Sequence, residues 1–516
     1  MRFIQYIGIM LFVLALIFLI GTLSMNNYTL TESSFNESIL NESHRITLSP
    51  ILDEMKGISY ASKIDFISDF NEKFNEINDE LKKEEQWDQV IWSKYTFQIL
   101  KNSSVGMLSD NIHIFFLICF VLGTIGALMY IIPPMFIELP GIKNDHIFFS
   151  KSMNKGWIGM IVGAALILFY IILYKFPEYI TNWVLMCDPL SFVLNGKPAD
   201  QWFLYGFLYS AAMIVMGVRM LIKYRNNNYQ IIRTLSVLFF QLCFAFTLPQ
   251  ILKKLNMPAY DLKSAWPLEY NFFFDYRLDE HIAAGTIGLW MLVWGIVLFV
   301  IGVPLFTYFY GKRWYCSWVC GCGGLAETLG DPFRQLSDKS LKAWKVERIL
   351  VHSVLVYAVF MTSAVIYSYL SQSNEILGMS TYNIRDNYGF FIGFAFAGVV
   401  GTGFYPLMGN RMWCRFGCPL AAYLGLIQRF KSRFRITTNG GQCISCGNCS
   451  TYCEMGIDVR WYAQRGQNIV RSSCVGCGIC SAVCPRGVLK LENGPENTRI
   501  VKNPIMVGTN SSSLNV

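Results

Sequence analysis

The sequence predicts an all-α polytopic membrane bundle of about eight transmembrane helices that carries a C-terminal α+β domain built on clustered cysteines. Three observations predict it. Of 516 residues, 53% are hydrophobic and 15% charged, and the apolar residues fall in runs of the ~20 residues that cross a hydrocarbon core. Eight of the 16 cysteines crowd into CISCGNCSTYC (443–453) and CVGCGICSAVCP (474–485). Between the first two apolar runs, Phe66, Phe70, Phe74, Ile77 and Leu81 recur at spacings of three and four, the period of a helix with one buried face.

The elements follow in chain order. Spans are expected at 4–24, 112–134, 156–175, 202–222, 232–251, 284–308, 349–370 and 388–408. Only Met-Arg precedes the first, and IGTLSMNNYTL offers no small-residue cleavage site, so 1–25 reads as a retained anchor. Segment 26–111 reads as an extracytoplasmic helical insertion; it has no cysteine and holds 8 Lys/Arg against 15 Asp/Glu. Residues 112–275 carry spans two to five, 276–430 carry spans six to eight with two Cys-x3-Cys motifs, 431–492 form the cysteine-rich domain, and 493–516 read as a disordered tail.

Charge sets the orientation. Lys143, Lys151 and Lys155 lie in one short connection, Lys223, Arg225 and Arg233 in the next, and Lys312, Arg313, Arg334, Lys339, Lys342, Lys345 and Arg348 between spans six and seven. The positive-inside rule places these, and both termini, on the cytoplasmic face of a bacterial inner membrane. From 409 onward there are 13 Lys/Arg against 4 Asp/Glu. Nucleic acid is not the implied partner, because clustered thiolates are themselves anionic and the inner leaflet attracts Lys and Arg.

Each cysteine run reads Cys-x2-Cys-x2-Cys-x3-Cys, the bacterial ferredoxin spacing in which three thiolates hold one cluster and the fourth serves the other. Glycines at 447, 476 and 478 allow the tight turns that wrap three sulfurs around a cubane. The expected sets are Cys443, Cys446, Cys449 and Cys484 for one [4Fe–4S] cluster, and Cys474, Cys477, Cys480 and Cys453 for the second, making 431–492 a dicluster ferredoxin-like domain. Zinc is the competing reading of paired Cys-x2-Cys. Glu454 stands where the pattern has Pro, as at Pro485, and a carboxylate there is expected to lower the potential of a nearby cluster.

The other chemistry-bearing cysteines recur as a repeat. GKRWYCSWVCGCGG (311–324) and GNRMWCRFGCPLAA (409–422) each follow a long apolar run and share Gly, a polar residue, Arg, two bulky residues and Cys-x3-Cys. A helical segment puts such a pair on one face, and a packed pseudo-repeat brings four thiols together. Three readings stand for Cys316, Cys320, Cys414 and Cys418, with Cys322 as a spare ligand: a third iron–sulfur centre, redox thiols, or buried packing groups. Cys119, Cys187 and Cys243 read as packing residues.

These motifs together resemble the membrane-bound polyferredoxins of the NapH/NosR/RdxA type, over about 280–490. The resemblance rests on Cys316 and Cys320, on Cys414, Cys418 and Pro419, and on the eight ferredoxin cysteines. It implies an electron carrier between the quinone pool or a cytoplasmic donor and a partner reductase, or a helper of metalloenzyme maturation. The first motif departs from the family's Cys-x3-Cys-Pro by reading CSWVCG, the outer segment has no site for covalent flavin, and about 30 residues follow the second cluster, too few for a β-sandwich. A NapH-like or unassigned subgroup is the nearest match.

The remaining candidates concern how electrons enter. His113 and His281 lie at the outer ends of spans, His146 and His352 at the inner ends, and two such pairs are the pattern of b-haem ligation, with interfacial polar residues as the alternative. A quinone pocket needs an apolar slot with a base at the membrane edge; Asp279, Glu280 and His281, with Asp188, supply such groups outside, and Glu327 and Asp331 inside, where solvated charges and helix-terminal roles compete. The expected function is an electron-transfer protein coupled to a quinol or soluble donor and to partner redox proteins, with membrane lipid around it. A maturation or metal-reducing factor is the alternative, although 26–111, with one His and two Met, holds copper poorly. A membrane redox sensor is the third.

Overall fold

The structure is a computed structural model; it describes residues 2–137, 156–376, 378–439 and 442–494, and the backbone of 505–506 and 513–514 in the tail, which pair as two short strands. Among the described residues, six helices are long and apolar enough to cross a membrane: Arg2–Ser24, Ile112–Phe136, Gln201–Lys223, Asn228–Lys254, Gly285–Tyr310 and Leu341–Ser371. The span expected at 156–175 is Gly159–Lys175, which bends by 110° into Pro177–Met186 and counts as a seventh if the pair is taken together. The eighth, expected at 388–408, is helical from Thr381 to Gly403 and breaks at Phe404. Its first turns are TYNIRDN, so its apolar part is shorter than a full crossing needs. His146, with Lys143, Lys151 and Lys155, lies outside the described residues.

The chain divides into two compact units, 1–133 with 169–211, and 134–168 with 212–516. In the first, Arg2–Ser24 packs on Ile112–Phe136 through glycine: a Cβ on Gly8 would stand 2.7 Å from the Tyr130 nitrogen, and one on Gly126 2.7 Å from that of Phe12. Small residues permit that backbone approach between apolar helices. The outer segment is not purely helical. Strands Asn27–Thr29, Ser59–Tyr60 and Ser104–Val105 form a three-stranded antiparallel sheet with the first in the middle. Against it lies Lys63–Lys83, capped by the Ser62 hydroxyl on the Ile64 N–H, with Phe66 and Phe70 fully buried and Phe74 and Ile77 packed beside them. Asp188 is a structural group here, buried and bonded by Lys101 Nζ at 2.7 Å and the Ala199 N–H at 2.7 Å.

Lys63 in the same unit is buried, with its ammonium donating to the Tyr179 carbonyl at 3.1 Å and no carboxylate among its bonds. Burial lowers its pKa from 10.5 to about 8. Below pH 8 the folded unit therefore bears the full cost of the charge, on the order of 3 kcal/mol, and this cost falls away as pH rises from 8 to 10.5. Lys63→Met is expected to raise the melting temperature at pH 7 and to flatten its rise between pH 8 and 10; a lower melting temperature at pH 7 would refute this.

In the second unit, the segment after Asn228–Lys254, expected to be an outer loop, folds back among the helices. Trp266 Nε1 donates to the Thr362 hydroxyl at 2.9 Å, near the middle of Leu341–Ser371, and its ring meets Phe299 at 5.2 Å. Tyr270 fills the space left by Gly389 and Gly393, and Phe272 that left by Gly295. The loop reaches the first Cys-x3-Cys motif as well: the Tyr315 hydroxyl donates to the Lys263 carbonyl at 3.0 Å. The cysteine-rich domain closes on one antiparallel pair, Phe434–Thr438 with Leu489–Asn493, which joins the beginning of the domain to its end.

Candidate metal centres

Each cysteine run turns on a glycine with positive φ, Gly447 and Gly478 at +80°, and then enters a one-turn helix, Asn448–Thr451 or Ile479–Ala482, that carries the third cysteine. The two runs face each other across the domain, so the fourth cysteine of each reaches the other's loop. Cys443, Cys446, Cys449 and Cys484 line one cavity of about 360 Å³. Cys474, Cys477, Cys480 and Cys453 line a second of about 370 Å³. Among the described residues, the group of three ligating side chains with donor atoms all within 4.8 Å is Glu327, Glu454 and Cys477; none is made of cysteines alone. Four thiolates on one zinc ion would stand about 3.8 Å apart, given Zn–S bonds of about 2.3 Å. Among the described residues, no three sulfurs of either set all lie within 4.8 Å of one another.

The cavities differ in shelter. Around the first, Cys446 is exposed and Cys443 and Cys484 half-buried. The second is clamped by other parts of the same unit: the Tyr229 hydroxyl donates to the Gly476 carbonyl at 2.8 Å, Gln230 to that of Cys477 at 2.8 Å, Ser317 to that of Val475 at 2.7 Å and Gln428 to that of Cys474 at 2.8 Å.

The repeated motifs converge. Cys316, Cys320, Cys414 and Cys418 are buried in one cluster, with Cys322 packed against it. The pairs do not share one helical face as a continuous helix would require. In each copy the first cysteine ends or lies within a short helix, Arg313–Cys316 or Met412–Phe416, the chain turns, and the second cysteine caps the next helix, Gly321–Glu327 or Pro419–Lys431. The Ala421 N–H points at Cys418 Sγ at 3.4 Å, and such a helix start favours an anionic sulfur. The shared first glycine has a physical cause, since Gly311 and Gly409 take φ of +67° and +93° where the chain leaves its helix.

Cations surround these thiols. Arg411 Nη1 lies 3.6 Å from Cys414 Sγ and donates to the Cys316 carbonyl at 3.1 Å, and Lys312, buried, binds the Ser472 carbonyl at 3.2 Å. Burial raises the Cys316, Cys414 and Cys418 thiols, opposed at Cys316 by Lys312 and Arg411 and at Cys414 by Arg411. Cys320 goes the other way, to about 6, because the Cys322 thiol donates to it and the Gly323 N–H adds a second bond.

Between the thiol set and the second cavity lies a buried ionic network that sequence reading missed. Glu327 bonds Arg233, Arg334 and Arg411; Glu454 takes Arg334 at 2.6 Å and Arg411 at 3.0 Å; Asp331 takes Arg334 at 2.8 Å, Arg219 at 2.9 Å and Lys223 at 2.7 Å. Burial alone would raise the Glu327 and Asp331 carboxyls, but their cations hold both well below the usual range. Glu454 is raised by burial in spite of its two arginines. Glu454, the carboxylate that stands where the pattern has Pro after Cys453, is thus held in ion pairs with Arg334 and Arg411. The one signal in sequence is the Arg shared by both motifs: Arg411 joins the network, while Arg313 stacks on Phe434 at 4.8 Å.

The remaining candidates scatter. His281 is buried with Nδ1 unpartnered and its ring against Tyr260 at 5.6 Å. Asp279 accepts from the Tyr369 hydroxyl at 2.9 Å, and Glu280 pairs with Arg277 at 3.0 Å. His352 Nδ1 bonds the Arg348 carbonyl at 2.6 Å and lines a cavity of about 310 Å³ with Lys312 and Cys414. His113 is exposed and belongs to the other unit. Cys119 and Cys187 are buried, whereas Cys243 is exposed on its helix instead of packed.

Comparison with known proteins adds three findings. Residues 442–489 match the 4Fe-4S dicluster domain, and 291–340 and 388–437 each match the 4Fe-4S binding domain, which covers both Cys-x3-Cys motifs. A curated relative, "Putative electron transport protein YccM" of Escherichia coli (strain K12), is 28% identical over 157 residues, 29% of this chain and 43% of that protein. The match thus spans less than half the relative's length, and no solved structure matches. The chain thus joins 4Fe-4S domains to six or seven membrane-capable helices, the makeup of a multi-pass membrane protein.

Proposed function

We propose that this protein is an electron-transfer component of a bacterial inner membrane, with both termini cytoplasmic, that moves single electrons between a quinol or soluble donor and a partner redox enzyme. The observation that carries the reading is the pair of four-cysteine cavities with exchanged fourth cysteines. Cys443, Cys446, Cys449 and Cys484 would hold one [4Fe–4S] cluster, and Cys474, Cys477, Cys480 and Cys453 the other. Bound clusters of this kind supply one-electron steps, which a two-electron quinol requires of whatever it reduces. The chain's own groups hold the thiolates, exclude water from the inner site and set the charge around it.

A third centre on Cys316, Cys320, Cys414 and Cys418 extends the reading. Their convergence, the helix starts at Cys320 and Cys418, and the buried Arg411 and Lys312 support thiolates over packing. The test is iron and acid-labile sulfide on anaerobically purified protein. About twelve of each per chain are expected, falling to about eight when Cys316 and Cys414 are both replaced by Ser. About eight in both proteins would leave the repeat without iron.

A further inference from the structure

The two cavities sit in opposite surroundings, and the exposed one has a face of its own. Over it stand Ile444 (54% exposed) and exposed Pro485, beside the exposed Cys446. Around it lie exposed Arg460 and Arg486, which line the cavity, and next to Arg460 in the chain Trp461 (41% exposed) carries the exposed Arg465 guanidinium at 3.9 Å. Among the described residues of 442–494, no acidic side chain is exposed. Glu454 is buried in its ion pairs, and Asp458 and Glu492 are half-buried, Asp458 holding the Ser450 hydroxyl at 2.6 Å. The hydrogen bonds of Gln442 and Ser445 stay within the domain, to Asn439, Arg486 and Gln464.

An apolar centre with a one-sign polar rim is the anatomy of a transient protein interface, and uniform charge speeds encounter with an oppositely charged partner. We infer that this face docks an acidic, soluble one-electron carrier protein, which exchanges electrons with the site formed by Cys443, Cys446, Cys449 and Cys484. This rests on the reading of that cavity as a cluster site. One electron leaves the partner's reduced carrier and enters the site; no bond is made and no proton moves. The inner leaflet is the other anionic surface available, but the flanks held by the helices belong to the second cavity, through Tyr229, Gln230, Ser317 and Gln428.

The experiment uses the full-length protein in neutral-detergent micelles, with a reduced acidic bacterial ferredoxin as probe and the neutral deazariboflavin radical as a small reductant. With ferredoxin, the second-order rate is expected to fall about tenfold or more as salt rises from 0.05 to 0.5 M, and several-fold in Arg465→Glu, with Arg465→Gln in between. With the radical, all variants should reduce alike and hold equal iron. A ferredoxin rate indifferent to both salt and charge reversal overturns the docking face. So does a reaction with ferredoxin that is lost only when the wild type is placed in phosphatidylglycerol nanodiscs, since the membrane would then cover the face. A wild type that the radical cannot reduce would sink the cluster reading itself.

Discussion

Glu327→Gln is expected to lower the stability of the buried ionic network and the segments it joins by about 3–5 kcal/mol and to strip iron from the protein on purification. The carboxylate is 1% exposed and answers three guanidiniums, those of Arg233, Arg334 and Arg411, drawn from three different elements. A neutral amide keeps the shape but leaves those cations with Glu454 and Asp331 as their nearest anions. Removing one partner of a buried ionic group costs far more than the group contributed, because the remaining charges stay desolvated. The damage would reach both metal sites: Arg411 also holds the Cys316 carbonyl, and Arg334 anchors Glu454 beside Cys453. Thermal melting in detergent, together with iron per chain, measures it. Adding Arg233→Met should recover part of the loss, since one of the stranded cations is then gone. A Glu327→Gln protein that melts with the wild type would show that water reaches this network.

Cys453→Ser and Cys484→Ser should each remove about four irons per chain, and each should remove the set that its sequence neighbours do not form. Cys453 follows the 443–449 run by four residues but lines the cavity of Cys474, Cys477 and Cys480; Cys484 follows the second run but lines the cavity of the first. Serine at 453 should therefore extinguish the sheltered centre and spare the exposed one, and serine at 484 the reverse. Electron paramagnetic resonance of the reduced protein distinguishes them, because two neighbouring reduced centres broaden one another and either loss alone leaves a simple spectrum. Rapid reduction by a protein donor should survive Cys453→Ser. Loss of the exposed centre in Cys453→Ser would mean that each run serves its own site.

Sequence reveals best what is local or long. Apolar runs announce six of the spans by length alone, and cysteine spacing with glycine turns carries the two four-cysteine sets, because the turn and the sulfur positions are set within a dozen residues. It reveals least where distant residues meet. Arg219, Arg233, Glu327, Arg334, Arg411 and Glu454 each look ordinary in their own neighbourhoods, as positive-inside charges or helix ends, and their meaning lies in packing across 235 positions (454 − 219). The returning loop is hidden for the same reason. WPLEYNFFF lies in the connection 255–274 between two helices, and nothing local says that Gly389, Gly393 and Gly295 are the sockets for its rings. The eighth expected span, 388–408, is helical up to Gly403 and is cut short by the break at Phe404.

The exchange of fourth cysteines also orders the birth of the protein. If each run closed its own site, the first would be complete once Cys453 had left the ribosome, and it could take up iron while the rest of the domain was still being made. With the sets crossed, one is complete at Cys480 and the other at Cys484, four residues of synthesis apart, and the strand that closes the domain follows at Leu489–Asn493. At about 5–20 residues per second that interval is under a second. On the proposed reading, iron delivered during synthesis would meet two sites completed nearly together, after the membrane-capable helices among the described residues have been made.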